Sequence, residues 1–156
     1  MYEAILRRLE HEVVQNYGAS VLRNPPTDEE IKWLIEHSKE KLGIEPHSDY
    51  IRFLRVTDGY DWNGLRFYSV RRRAESGKDT EKPEGSFIEG FVEANLDFRE
   101  AFQNHDLVIY GDSSTDRYIH DRRRNIFLTV DVLSLDEFEQ HDSFDDMVLA
   151  ALKNNM

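Results

Sequence analysis

The arrangement of apolar residues changes along this chain, from helical spacing at both ends to short strand-forming segments in the middle. Near the start, apolar residues recur at helical spacing, namely Leu6, Leu9, Val13 and Tyr17. Gly18 follows them as a helix stop, and Ser143 precedes a similar segment near the end as a helix cap. The inward residues of that last segment are Met147, Val148, Ala151 and Leu152. This order of elements predicts a central sheet with helices packed on it.

Two more helices are predicted before the middle of the chain. Thr27 and Glu30 have the spacing of a reciprocal capping box, and two prolines precede them. Gly43 is predicted to end the helix that this box begins. A short third helix is predicted to begin at Ser48, and the turn-forming pair at residues 58–59 ends it.

The middle of the chain has short strand-forming segments separated by turns, as is typical of antiparallel strands. Predicted strands cover residues 65–70, 107–110, 117–121 and 126–132, with a shorter one at 87–88. A central helix is predicted from Phe91, which opens another run of apolar residues at helical spacing. Short connections favour antiparallel pairing. The predicted fold class is α+β: an antiparallel sheet of about four to six strands, with helices from both chain ends and one central helix packed on it.

The length predicts a single domain over residues 1–156, since a chain of this size supplies one hydrophobic core. We expect the N-terminal helices at about 1–58, the sheet with its central helix at about 64–140, and the C-terminal helix at about 143–154. Residues 71–85 are polar apart from Ala74, and they are predicted to form a flexible loop.

Charge limits the kinds of partner that this chain can bind. Its formal net charge is −11, and residues 106–156 carry eleven acidic against five basic residues. Nucleic acid is disfavoured as a partner, because binding it depends on Lys and Arg that neutralise phosphates. Two interpretations of the acidity stay open: a solvated surface that maintains solubility, and an acidic face that attracts a basic protein.

Several classes of chemistry have no signature in the sequence. The chain has no cysteine, which excludes disulfides and cysteine–zinc sites and favours a cytoplasmic location. No apolar run reaches the roughly 18 residues of a membrane-spanning helix, and no secretory signal or nucleotide-binding motif is evident. We therefore expect a non-enzyme, without catalytic residues, metal, cofactor or membrane contact. An enzyme that acts through His120 or the Asp112–Asp116 pair is kept as an alternative.

Two short segments are candidates for contact with a partner protein. The candidate partner-binding residues are Tyr60, Asp61, Trp62, Asp112, Asp116 and Tyr118. The first three lie among turn formers, where large aromatics either fold onto the core or anchor an interface. The last three flank a predicted hairpin loop, which is either a plain turn or a presented acidic edge.

Eight short motifs follow one another along the chain. They are PTDEEI at residues 26–31, LG at 42–43, Tyr50, FL at 53–54, DG at 58–59, EANLDFR at 93–99, LVIYGD at 107–112 and DSFDDM at 142–147. This order resembles the SUKH superfamily, which includes bacterial immunity proteins and a fungal regulator of cell-wall synthesis. The resemblance covers about residues 26–152, and only the polar segment 71–85 has no counterpart.

The resemblance implies that the chain works by binding another protein. Many bacterial members of the superfamily are immunity proteins, which block a toxin domain delivered by neighbouring cells. The expected partner is therefore a cognate toxin domain that is basic, for example a nuclease. This chain would bind and occlude that domain in the cytoplasm. The alternative that the fungal relatives imply is a regulatory or scaffold protein of the same fold, without a toxin.

Overall fold

The computed structural model describes residues 1–74 and 87–155 of the chain. The helices in these ranges are α1 (Tyr2–Tyr17), α2 (Asp28–Leu42), α3 (Ser48–Leu54), α4 (Phe91–Phe102) and α5 (Phe144–Asn154). The strands are β1 (Tyr60–Trp62), β2 (Leu65–Phe67), β3 (Arg73–Ala74), β4 (Phe87–Ile88), β5 (Leu107–Asp112), β6 (Asp116–Asp121), β7 (Ile126–Asp131) and β8 (Glu137–His141).

The main sheet has six strands in the order β1-β2-β5-β6-β7-β8, and every neighbouring pair is antiparallel. β3 and β4 form a separate antiparallel pair. The predicted α+β class, with helices from both chain ends and a central helix, is confirmed. β1 and β8 are the two edges of the main sheet.

Helix boundaries follow the local signals in the sequence. The Thr27 hydroxyl accepts a hydrogen bond from the Glu30 N–H, and the Glu30 carboxylate accepts one from the Thr27 N–H, both at 3.1 Å. The predicted capping box therefore begins α2. The Ser143 hydroxyl accepts from the Asp146 N–H at 3.1 Å, as predicted for the cap of α5. Gly43 ends α2 with a φ of 72°, which glycine adopts without strain.

One face of the main sheet packs on α3 and α5 through aromatic rings. These rings are fully buried and include Tyr50, Phe53, Phe67, Tyr110 and Phe144. The ring centroids of Tyr50 and Tyr110 are 5.0 Å apart, and those of Phe53 and Phe67 are 5.7 Å apart. Such tilted contacts suit the charge distribution of aromatic rings, and they make this face the centre of the core.

Helix α4 packs beside β5 and β6. The Arg117 guanidinium of β6 lies over the rings of Phe98 and Phe102, 5.6 and 5.2 Å from their centroids. The Asn95 side chain accepts from the N–H of Ile109 and donates to its carbonyl, each at 2.9 Å. Asn95 is buried, so it satisfies backbone groups of β5 in the way that a neighbouring strand would.

The structure corrects three details of the sequence prediction. The strand predicted over residues 65–70 ends at Phe67, since the backbone of Ser69 bonds to Glu89 and Phe91 and the Val70 N–H donates to the Asp58 carboxylate at 2.8 Å. Residues 73–74, predicted to lie in the flexible loop, form β3 and pair with β4. β1 and β8 were not predicted as strands. The rest of the predicted loop, residues 75–85, lies outside the described residues.

Candidate functional site

The six predicted partner-binding residues lie on β1, β5 and β6, but their exposure differs. Tyr60 and Tyr118 are buried, with 3% and 1% of their surface exposed. Burial raises the pKa of both hydroxyls, that of Tyr60 to about 12. The ring centroids of Tyr118 and Phe67 are 5.4 Å apart, on the aromatic face of the sheet. Trp62 is partly buried and packs against Tyr17. The fold therefore uses both tyrosines as core residues.

Charged residues of alternating sign run across four strands on the opposite face. Asp61, Arg66, Asp112 and Arg117 are successive cross-strand partners from β1 to β6. The Arg66 Nε donates to Asp112 Oδ1 at 3.0 Å, and the Tyr68 hydroxyl donates to Asp112 Oδ2 at 2.6 Å. Burial raises the pKa of Tyr68 well above its ordinary value, so this hydroxyl keeps its proton. The Asp112 carboxylate is thus held by groups of its own chain.

A cleft of about 300 Å³ lies between this row of charges and α4. Its walls include the Phe98 and Phe102 rings and charged groups of both signs. Among these, Glu89 forms a two-bond ion pair with Arg72 at 2.9–3.0 Å. Arg66 and Arg117 thus lie near the acids Glu89, Asp97 and Asp112, so the cleft carries charges of both signs.

The histidine of the alternative enzyme hypothesis is engaged in structural contacts. His120 stacks on Phe127 with centroids 4.4 Å apart, and its Nε2 lies 3.0 Å from Asn125 Oδ1. Burial lowers the pKa of His120. The neighbouring Asp121 bonds instead to the Arg124 Nε at 2.8 Å. Among the described residues, no three His, Asp or Glu side chains converge as a metal site.

A second surface, which the sequence prediction did not include as a site, lies at the β8 edge of the sheet. Residues 131–142 contain no lysine or arginine and five acidic residues: Asp131, Asp136, Glu137, Glu139 and Asp142. Leu133 is 81% exposed and Phe138 is 58% exposed. We call residues 131–142 the acidic edge. It combines negative charge with apolar side chains that are open to a partner.

Aspartates lie side by side at the turn end of the acidic edge. Asp116 of β6 is the cross-strand partner of Asp131, whose N–H donates to the Asp136 carbonyl at 2.8 Å. The Asp131 carboxylate accepts from the N–H groups of Ser134 and Leu133 at 2.8 and 2.9 Å, and these bonds lower its pKa. Like charges opposite each other destabilise a sheet. A cationic partner would therefore stabilise this row of aspartates. Asp116 belongs both to this row and to the six partner-binding residues predicted from the sequence.

Strand β8 itself is open to solvent. Residues 137–140 are all exposed, and no described strand lies on their outer side. The pairing of β8 with β7 is interrupted beside Phe138, and such bulges redirect side chains. Arg124 forms ion pairs with Glu137 and Asp121, so it compensates part of the negative charge.

Neither a scan of the chain against protein-family models nor a search among curated proteins gives a match. The resemblance to the SUKH superfamily therefore stays a prediction from the order of segments. In the part of the chain that the structure describes, no helix is both long enough and apolar enough to cross a bilayer.

The acidic edge escaped the sequence prediction because β8 lacks a strand pattern. Its sequence is EFEQH, in which Phe138 is the only apolar residue, so no alternation marks it. The sequence did contain one signal: residues 106–156 have eleven acidic residues and only five basic ones. That count indicates the region but not which residues share a surface, since the latter depends on strand pairing.

Proposed function

We propose that this protein is an immunity-type binding protein, which recognises a basic toxin domain and occludes it through the acidic edge. The observation that carries the proposal is the surface of residues 131–142, with five acidic residues, no lysine or arginine and two exposed apolar side chains. The order of sequence motifs, which resembles that of the SUKH superfamily, supports the same role. The proposed partner is a cognate toxin domain, for example a nuclease.

Charge gives the acidic edge a physical means of finding such a partner. An enzyme that cuts nucleic acid holds phosphates with Lys and Arg, so its substrate site is positively charged. An acidic protein is steered toward that site by long-range attraction, which raises the association rate and disfavours acidic competitors. Binding over the positive site would also exclude the nucleic acid, so attraction and inhibition would act at one place.

Tight binding requires apolar anchors as well as charge. Nanomolar affinity corresponds to about −12 kcal/mol, and a few desolvated side chains supply most of such an energy. Phe138 and Leu133 are the proposed apolar anchors, because both are large and exposed. Glu139 and Asp136 are the proposed charged contacts beside them.

The proposed interface differs from the six residues predicted from the sequence. Tyr60 and Tyr118 are buried and cannot touch a partner without rearrangement of the core. The Asp112 carboxylate already accepts hydrogen bonds from Arg66 and Tyr68. Asp116 remains in the proposed interface, because it pairs in register with Asp131. The proposal involves no catalytic residue, metal or cofactor, and it places the protein in the cytoplasm, where a protector must meet a delivered toxin.

The experiment is capture of partners by the tagged full chain, followed by a growth assay. We expect one stoichiometric basic protein that stops growth when expressed alone and is harmless when this chain is co-expressed. Capture of non-toxic housekeeping proteins alone, or of nothing, would contradict the immunity role.

A further inference from the structure

Strand β8 directs backbone hydrogen-bonding groups away from the sheet. Asp131 of β7 donates its N–H to the Asp136 carbonyl at 2.8 Å, so the backbone of Asp131 faces the β8 side. Backbone direction alternates along a strand, so Thr129 also faces β8, and its cross-strand partner Glu139 faces β7. The next residue, Gln140, therefore points its N–H and C=O outward. Gln140 is exposed, so these groups are open to another chain.

The charge of β8 restricts which chain can pair with it. An open strand edge is a template for pairing with any extended segment. A second copy of this protein would place Glu137 and Glu139 against its own acidic residues, and like charges across strands destabilise pairing. A segment with lysine and arginine would place opposite charges there instead. The acidic edge thus disfavours self-association and favours a basic strand.

We infer that an extended, lysine- and arginine-rich segment of the basic partner pairs with β8 as an additional antiparallel or parallel strand of the main sheet. This inference rests on the proposed function, to which it adds the mode of binding. Backbone bonds at Gln140 fix the position of the segment. Its cations face Glu139 first, because Glu137 already pairs with Arg124. An apolar side chain of the segment packs on Phe138, which is 58% exposed in the unbound protein.

Two peptides of equal charge separate strand pairing from simple charge attraction. The first probe is a synthetic peptide of about ten residues that alternates lysine and valine, a length and pattern suited to a strand. The matched probe has the same side chains with every backbone amide N-methylated, so it cannot donate backbone hydrogen bonds. We expect the full-length protein to bind the first peptide at least about tenfold more tightly than the second in calorimetry.

A pair of protein variants tests the same inference from the other side. Gln140→Pro removes the outward N–H without removing a bond to β7, whereas Gln140→Ala keeps it. We expect Gln140→Pro to weaken binding of the lysine–valine peptide at least about tenfold, and Gln140→Ala to change it less than about threefold. In the wild-type protein, hydrogen exchange at the Gln140 amide should be fast and should slow when the peptide binds. This readout does not depend on the stability of the proline variant.

The outcomes distinguish failure of this inference from failure of the proposed function. Equal affinity for the two peptides, with no added protection at Gln140, would overturn strand pairing and leave charge-driven binding of a toxin intact. Absence of binding by either peptide would also overturn it. Strand pairing with the peptide, together with capture of no toxic partner from cells, would support the inference and contradict the immunity role.

Discussion

Asp112 shows at the scale of one residue why exposure and partners must be known before a side chain is assigned to an interface. Its sequence context, an acid at the end of a strand beside a hairpin loop, suggested a presented contact. In the structure its carboxylate accepts from Arg66 and from the hydroxyl of the buried Tyr68. We therefore assign Asp112 to stability, whereas Asp116, four residues later, borders the acidic edge.

Replacing Asp112 should affect folding and not partner binding. Asp112→Ala leaves the buried Tyr68 hydroxyl without its acceptor, and an unsatisfied buried group costs about 1–3 kcal/mol. We expect a loss of that size in the free energy of unfolding, measured with urea, and partner affinity within about threefold of wild type. Asp106→Ala, at an exposed site, is the control and should change stability by less than about 0.5 kcal/mol. If Asp112→Ala lost affinity for the partner while its stability stayed unchanged, Asp112 would be an interface residue after all.

The buried histidines should make stability depend on pH near neutrality. Burial lowers the pKa of both His120 and His141 in the folded protein, so between that lowered value and about 6.5 the unfolded chain binds more protons. Stability is therefore full above about pH 6.5 and falls as the pH decreases through this window. We expect urea midpoints to decline in this range for wild type and to decline less for His141→Gln. Identical slopes for the two proteins would show that His141 does not contribute.

At the scale of elements, the parts that could be predicted are those with local signals. The helix α2 has a capping box and a terminal glycine, α5 has a serine cap, and short turns separate the strands β5 to β7. β1 and β8 lack such signals, because β1 has three residues among turn formers and β8 is mostly polar, with Phe138 as its only apolar residue. Their place in the sheet is determined by pairing with β2 and β7, which is a long-range effect. The candidate site was missed for the same reason.

The capping box of α2 offers a direct test of one such local signal. Thr27→Ala removes the hydroxyl that accepts from the Glu30 N–H, and loss of such a cap costs about 1 kcal/mol. We expect that decrease in the free energy of unfolding, and little decrease for Thr27→Ser, which keeps a hydroxyl. Equal stability of the alanine and serine variants would mean that packing alone begins α2.

At the scale of the whole molecule, the effect of the net charge of −11 must be distinguished from the effect of the acidic edge. A protein with this charge attracts basic proteins over long range whatever their point of contact. The charge alone therefore does not identify an interface. What distinguishes the acidic edge is that its acids lie beside the exposed Phe138 of the open strand β8 and the exposed Leu133 of the turn before it.

The most direct measurement compares two charge reversals of equal size for affinity toward the captured toxin domain. Asp136→Lys with Glu139→Lys changes the acidic edge, and Glu12→Lys with Glu36→Lys changes exposed sites on α1 and α2 by the same net charge. Urea unfolding of both double variants confirms that they fold. We expect the first to weaken binding at least about tenfold and the second by less than about threefold. Equal losses in the two variants would contradict binding through the acidic edge.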